Sequence, residues 1–144
     1  MLKVVLVRYT ISMNIITYIL TLLSLAIIDA GWLYITGSQY RVWLGHLFAP
    51  SFNFIPAVVF YILYTAGVVF FAVSPALKSG ASLGHVFFIG AFLGLFAYGT
   101  YDLTNNATMR DWPIIVTIID MAWGALLTGG VSTLVVLVYR SFFA

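Results

Sequence analysis

The sequence predicts an all-α integral membrane protein, a bundle of four transmembrane helices, from its composition and from its apolar runs. Hydrophobic residues make up 63% of the 144 positions and charged residues only 7%, whereas a soluble domain has roughly 25% charged residues. Four apolar runs are long enough to cross a hydrocarbon core, which takes about 20 helical residues. The composition excludes a soluble enzyme, a disordered regulator and a protein that binds nucleic acid, because 6 cations and 4 anions cannot form a phosphate-binding surface.

The predicted transmembrane helices cover residues 15–35, 54–73, 83–103 and 114–138. These runs do not alternate between apolar and polar residues as the strands of a β-barrel do. The first run is too long for a signal peptide and no cleavage site follows it, which favours a retained helix. We therefore expect a single membrane domain over residues 1–144, with residues 1–12 as an N-terminal lead ahead of Met13, an alternative start.

The loop after the first span, residues 37–53, carries a helical pattern of its own. Its apolar and aromatic residues recur at i, i+3, i+4, i+7 and i+8, in the order Tyr40, Trp43, Leu44, Leu47 and Phe48. This pattern predicts a short interfacial helix at about 38–49, ended by Pro50. The simpler interpretation is an aromatic anchor without chemistry.

The distribution of Lys and Arg predicts the orientation. One side of the membrane holds four cations and the other two, namely Lys3, Arg8, Lys78 and Arg140 against Arg41 and Arg110. Because cytoplasmic loops carry the excess of positive charge, both termini are expected in the cytoplasm.

All four acidic residues lie in or next to the outer half of the bilayer. Asp29 and Asp120 each lie six residues from the outer end of a span, which places both about 9 Å below the same surface. Asp102 lies one residue from the outer end of the third span, and Asp111 is interpreted as a solvated loop charge. Each carboxylate in the bilayer costs about 2.5–3.5 kcal/mol and so needs a reason.

Aromatic residues share the helix faces of these carboxylates. Trp32 and Trp123 each follow an aspartate by three residues, and Tyr98 precedes Asp102 by one turn. The indole of Trp123, about 13 Å deep, needs a hydrogen-bond acceptor. The predicted binding residues are Asp29, Trp32, His46, Tyr98, Asp102, Asn105, Asp120 and Trp123.

Metal and cofactor sites have no support in the sequence. One His with three Asp is a poor zinc set, and no spacing motif indicates Mg²⁺ or Ca²⁺. The alternative role of His46 is that of a hydrogen-bonded interface residue. No cysteine is present, so disulfides are excluded.

The predicted partners are membrane lipids and a second copy of the chain. Gly90 and Gly94 have the spacing of a close helix contact, which serves either a homodimer or packing within the bundle.

From residue 13 to 141 the chain resembles bacterial predicted membrane proteins of the domain-of-unknown-function 2177 family. The resemblance rests on Asp29-x-x-Trp32, Gly45-His46-Leu47-x-Ala49-Pro50, Tyr61-x-x-Tyr64, Tyr101-Asp102-Leu103-Thr104-Asn105 and Asp120-x-x-Trp123-Gly124. It implies a bacterial inner-membrane protein and carries no activity.

Three functional hypotheses follow. The first is a site that binds, or translocates with protons, a small or amphipathic molecule. The second is a lipid-modifying enzyme with a carboxylate as general base and Asn105 orienting the substrate, although the chain lacks a nucleophile with a partnered base. In the third, an accessory subunit, protonated aspartates only hydrogen-bond neighbouring helices.

Overall fold

The computed structural model describes residues 2–143, with the side chains of Met13 and of residues 15–143. It contains four long helices, α1 (Leu2–Leu44), α2 (Phe54–Ser79), α3 (Leu83–Thr108) and α4 (Ile114–Phe142). All four are long and apolar enough to cross a membrane, and no strand occurs within residues 2–143. The predicted bundle of four transmembrane helices is confirmed.

Side chains and backbone conformation set the helix boundaries. Asn53 accepts a hydrogen bond from the backbone N–H of Ile55 at 3.1 Å, which caps the start of α2. Ser82 caps α3 in the same way, accepting from the N–H of His85 at 3.3 Å. Between them, α2 ends at Gly80, whose φ of 67° is the left-handed conformation typical of a helix C-terminus. The connection between α2 and α3 is therefore only three residues long, 80–82.

The predicted separate interfacial helix is not confirmed. Residues 38–44 continue α1 without a break, and a short 3-10 turn, Gly45–Leu47, follows. The predicted apolar face exists, but it packs within the protein: Leu44 forms a buried cluster with Trp112 and Val116. A helix that lies on a membrane and a helix end that packs on a neighbouring segment need the same apolar pattern, and the sequence did not distinguish them.

A wide π-helical turn, Val69–Val73, interrupts α2. Pro75 follows this turn, and its ring would clash with the carbonyl of the residue four positions earlier in a regular α-helix. The turn relieves that conflict and contacts α1, α3 and α4. Arg140 of α4 supports the same end of α2, because its Nη2 donates to the carbonyl oxygens of Ala76 at 3.1 Å and Ala81 at 2.9 Å.

The helices α3 and α4 form the most extensive contact of the bundle. A Cβ atom at Gly90 would lie 2.8 Å from the carbonyl oxygen of Thr128, and one at Gly94 would overlap the carbonyl of Gly124. The two glycines therefore allow the backbones of α3 and α4 to approach within one chain. A second copy of the chain would have to use another surface.

Candidate functional site

Asp29 ties three helices together. It lies on α1 with 9% of its surface exposed. Its Oδ2 accepts a hydrogen bond from the Tyr61 hydroxyl of α2 at 2.6 Å, and its Oδ1 accepts one from the indole Nε1 of Trp123 on α4 at 2.9 Å. The side chain of Asp29 therefore links α1 to α2 and to α4 by one hydrogen bond each.

Two indole rings lie beside this carboxylate. Trp32 of α1 and Trp123 of α4 stack with ring centroids 4.3 Å apart and an angle of 9° between their planes. The stack places apolar surface next to Asp29 while the Nε1 of Trp123 remains bonded to it. It therefore joins α1 and α4 by dispersion and by a hydrogen bond.

Asp120 has a separate partner. Its Oδ1 accepts a hydrogen bond from the hydroxyl of Tyr40, which lies near the end of α1. Both side chains are only partly buried. The contact lies on the segment that the sequence assigned to an interfacial helix, so the continuous α1 brings Tyr40 to the carboxylate.

Asp102 differs from both. It is 0% exposed, and neither of its carboxyl oxygens has a hydrogen-bond partner among the described residues. Its main chain is hydrogen-bonded, since the hydroxyl of Thr117 donates to the carbonyl oxygen of Asp102 at 3.5 Å. The same hydroxyl accepts a hydrogen bond from the indole Nε1 of Trp112 at 3.1 Å. The carboxyl group of Asp102 lies within electrostatic range of Asp120.

Tyr98 and Tyr64 line the space between these groups. Tyr98 of α3 packs on α4 where a Cβ at Gly124 would overlap its ring. The hydroxyl of Tyr64 on α2 hydrogen-bonds to the hydroxyl of Thr128 on α4 at 2.6 Å. The bundle interior around the aspartates is thus rich in aromatic hydroxyl groups.

Two further predicted residues lie near helix ends. His46 is exposed on the 3-10 turn after α1, and Asn105 is partly buried near the end of α3, three residues after Asp102. Neither side chain hydrogen-bonds to an aspartate within the described part of the chain. Their place in a binding site stays a prediction.

The prediction of the site omitted the two tyrosines that donate to carboxylates, Tyr61 and Tyr40. A signal existed for Tyr61, because a hydroxyl group in a span needs an acceptor in the bundle. Tyr40 was recognised only as part of an apolar face.

The aspartates line neither of two cavities in the described chain. These cavities, of about 660 and 240 Å³, are lined by other residues. Within residues 2–143, no group of three His, Asp or Glu side chains is placed to hold a metal ion. The contacts that the aspartate side chains make are hydrogen bonds from Tyr61, Trp123 and Tyr40.

Comparison with known proteins identifies the family. Residues 14–137 match the model of the family described as "Predicted membrane protein (DUF2177)". No curated protein and no solved structure matches the chain. The match covers most of the sequence and all four helices in whole or in part, so the chain belongs to the DUF2177 family of membrane proteins of unknown function.

Proposed function

We propose that the aspartate cluster is a proton-binding site, through which this membrane protein couples proton movement to the binding or translocation of a small or amphipathic molecule. The observation that carries the proposal is the carboxyl group of Asp102, which is fully buried without a hydrogen-bond partner in the described chain. An ionised carboxylate in that setting would carry a large desolvation cost, whereas a bound proton removes the charge. Asp102 is therefore suited to take up and release a proton.

The neighbouring groups support a path for that proton. Asp120 lies within electrostatic range of Asp102, so the two carboxyl groups disfavour being charged together. Asp120 is hydrogen-bonded to Tyr40, which is partly exposed near the end of α1. A proton can pass from the outer end of α1 through Tyr40 and Asp120 to Asp102. Asp29, already bonded to two donors, serves as a fixed acceptor.

The setting that we propose is a bacterial inner membrane with both termini in the cytoplasm. This orientation places the cluster toward the outer leaflet, with Trp32 and Trp123 as walls for the transported molecule. Four helices are few for alternating access, so translocation requires a homodimer. Its interface would use a surface other than Gly90 and Gly94, which pack against α4.

Proton binding is tested by infrared spectroscopy on the purified protein. A protonated carboxylic acid has a carbonyl stretch that a carboxylate lacks, so difference spectra between two pH values report each titrating aspartate. We expect Asp102→Asn to remove such a band and Asp111→Asn, in the exposed loop, to leave it. A set of carbonyl bands that Asp102→Asn leaves entirely unchanged would contradict the assignment, whereas Asp120 can contribute a band of its own.

Coupling is tested in liposomes with a pH-sensitive dye inside. The dye reports the flux of protons into the liposomes. A pH-dependent proton flux that persists in Asp120→Asn would contradict proton coupling. Unchanged folding, oligomeric state and flux in both Asp102→Asn and Asp120→Asn would favour the accessory-subunit hypothesis. Turnover of a phospholipid that single Asp variants lose would favour the enzyme.

A further inference from the structure

A second feature lies at the opposite end of the bundle, in a groove of about 660 Å³ between α1 and α2. Its volume is within the range of ligand sites, about 300–1,000 Å³. Aromatic and aliphatic side chains and one cation line it, among them Tyr18, Val69, Phe70, Phe71, Pro75 and Lys78. None of the aspartates lines it.

The groove follows the π-helical turn of α2. The turn, Val69–Val73, supplies three of the lining residues, and Pro75 lies just beyond it. Phe70 and Phe71 are 70% and 60% exposed. The hydroxyl of Tyr18 donates to the carbonyl oxygen of Ile62 at 3.0 Å, which leaves the aromatic ring of Tyr18 to line the groove. The groove is therefore apolar along its length and open to the surroundings of the bundle.

Among the described residues that line the groove, Lys78 alone is charged. It is exposed near the end of α2, eight residues after Phe70, or about 12 Å along the helix. Among the described residues, no acidic side chain lies at its end of the bundle: Asp102, for example, is 19 residues from the start of α3, about 28 Å away along the axis. The nearby Arg140 is engaged with the carbonyls of Ala76 and Ala81.

We infer that this groove binds an anionic phospholipid, with its phosphate on the ammonium group of Lys78 and an acyl chain along Val69 and Phe70. The charge is complementary, since Lys78 has no acidic side chain near it in the described part of the chain and lies at the end of the groove that would face the membrane surface. The distance also fits an acyl chain, because Phe70 lies about 12 Å along the helix from Lys78, which is the length of several methylene groups. This inference does not depend on the proposed proton site.

The test measures lipid selectivity of the full-length protein in bilayers of phosphatidylcholine with a minor fraction of phosphatidylglycerol. Spin-labelled forms of each lipid report the fraction that is immobilised on the protein. We expect phosphatidylglycerol to be preferred and Lys78→Gln to lower that preference about fivefold, the effect of one lysine near the surface. Lys78→Arg should retain it, as should Arg110→Gln, the matched change at the other end.

The apolar part is tested separately by Ala66→Trp. Ala66 lines the groove and is exposed, so the larger side chain fills the groove without disturbing the core. We expect less immobilised lipid of both classes. A preference that Lys78→Gln leaves unchanged would overturn the inference, as would immobilisation that Ala66→Trp does not affect. Unchanged selectivity together with an altered oligomeric state in Ala66→Trp would assign the groove to a second copy of the chain.

Discussion

Asp29 and Asp102 are two buried aspartates in the same half of one bundle, yet their surroundings are opposite. Asp29 accepts hydrogen bonds from Tyr61 and Trp123. The carboxyl group of Asp102 has none from the described residues, although it is the more deeply buried. The carboxyl group of Asp29 thus joins three helices, whereas that of Asp102 bonds to none of them. We propose that this difference separates a structural role of Asp29 from proton binding by Asp102.

Removal of the better-connected carboxylate has the largest expected effect. Asp29→Ala leaves the Tyr61 hydroxyl and the Trp123 indole N–H without an acceptor. Each interhelical hydrogen bond in a membrane protein contributes about 0.6–1.7 kcal/mol, so we expect a loss of about 1–3 kcal/mol in the free energy of unfolding. Unfolding in mixed detergent micelles measures it. The control is Asp111→Asn, because Asn tolerates the φ of 56° found there; an equal loss in that control would remove the distinction.

The single donors should each account for part of that loss. Tyr61→Phe and Trp123→Phe each remove one hydrogen bond to Asp29, and we expect each to cost about 0.6–1.7 kcal/mol. Trp123→Phe also weakens the stack on Trp32, so it should be the larger of the two. Combined with Asp29→Ala, Tyr61→Phe should add little further, because the bond is already absent. Full additivity in this double-mutant cycle would mean that the bond does not contribute.

Tyr40→Phe should have a smaller effect on stability. Its bond to Asp120 lies at a partly exposed position near the end of α1, where water can replace the lost donor, so the expected cost is below about 1 kcal/mol. Tyr34→Phe is the matched control, since Tyr34 is 91% exposed. If Tyr40 relays protons, the liposome assay should show slower flux in Tyr40→Phe alone. Equal flux in both variants would exclude that relay.

Asp102→Asn should have the smallest effect on stability. The carboxyl group makes no hydrogen bond to the described protein, so its replacement by a neutral amide of similar size removes no such bond. We expect a change in the free energy of unfolding below the roughly 0.5–1.5 kcal/mol of a typical hydrogen bond. The same change at Asp29 should cost more, because the amide NH₂ would face the O–H of Tyr61 or the N–H of Trp123. Equal losses at the two positions would contradict the proposed division of roles.

The sequence was sufficient for the helices and for part of the site. Apolar length predicts four helical spans, since a helix satisfies its backbone groups within one segment and the runs lack the alternation of β-barrel strands. The depth of Trp123 predicts that its indole finds an acceptor, and the structure supplies Asp29. Helical periodicity defines a face but not the helix opposite it, so Tyr61 and Tyr40 were not recognised as donors. The same limit applies to Gly90 and Gly94, whose spacing does not say whether the approaching helix belongs to the same chain.

The π-helical turn of α2 also rotates the side chains after the turn, about the helix axis, relative to those before it. The turn, Val69–Val73, accommodates one residue more than an α-helical turn, and one residue corresponds to about 100° of rotation. One continuous helical repeat therefore does not run through the turn. The face set by Tyr61 and Tyr64 before it is independent of the face set by Ser74 and Ala76 after it. Each can present its own polar or small residues to the bundle, one toward Asp29 and the other toward the buried end near Arg140.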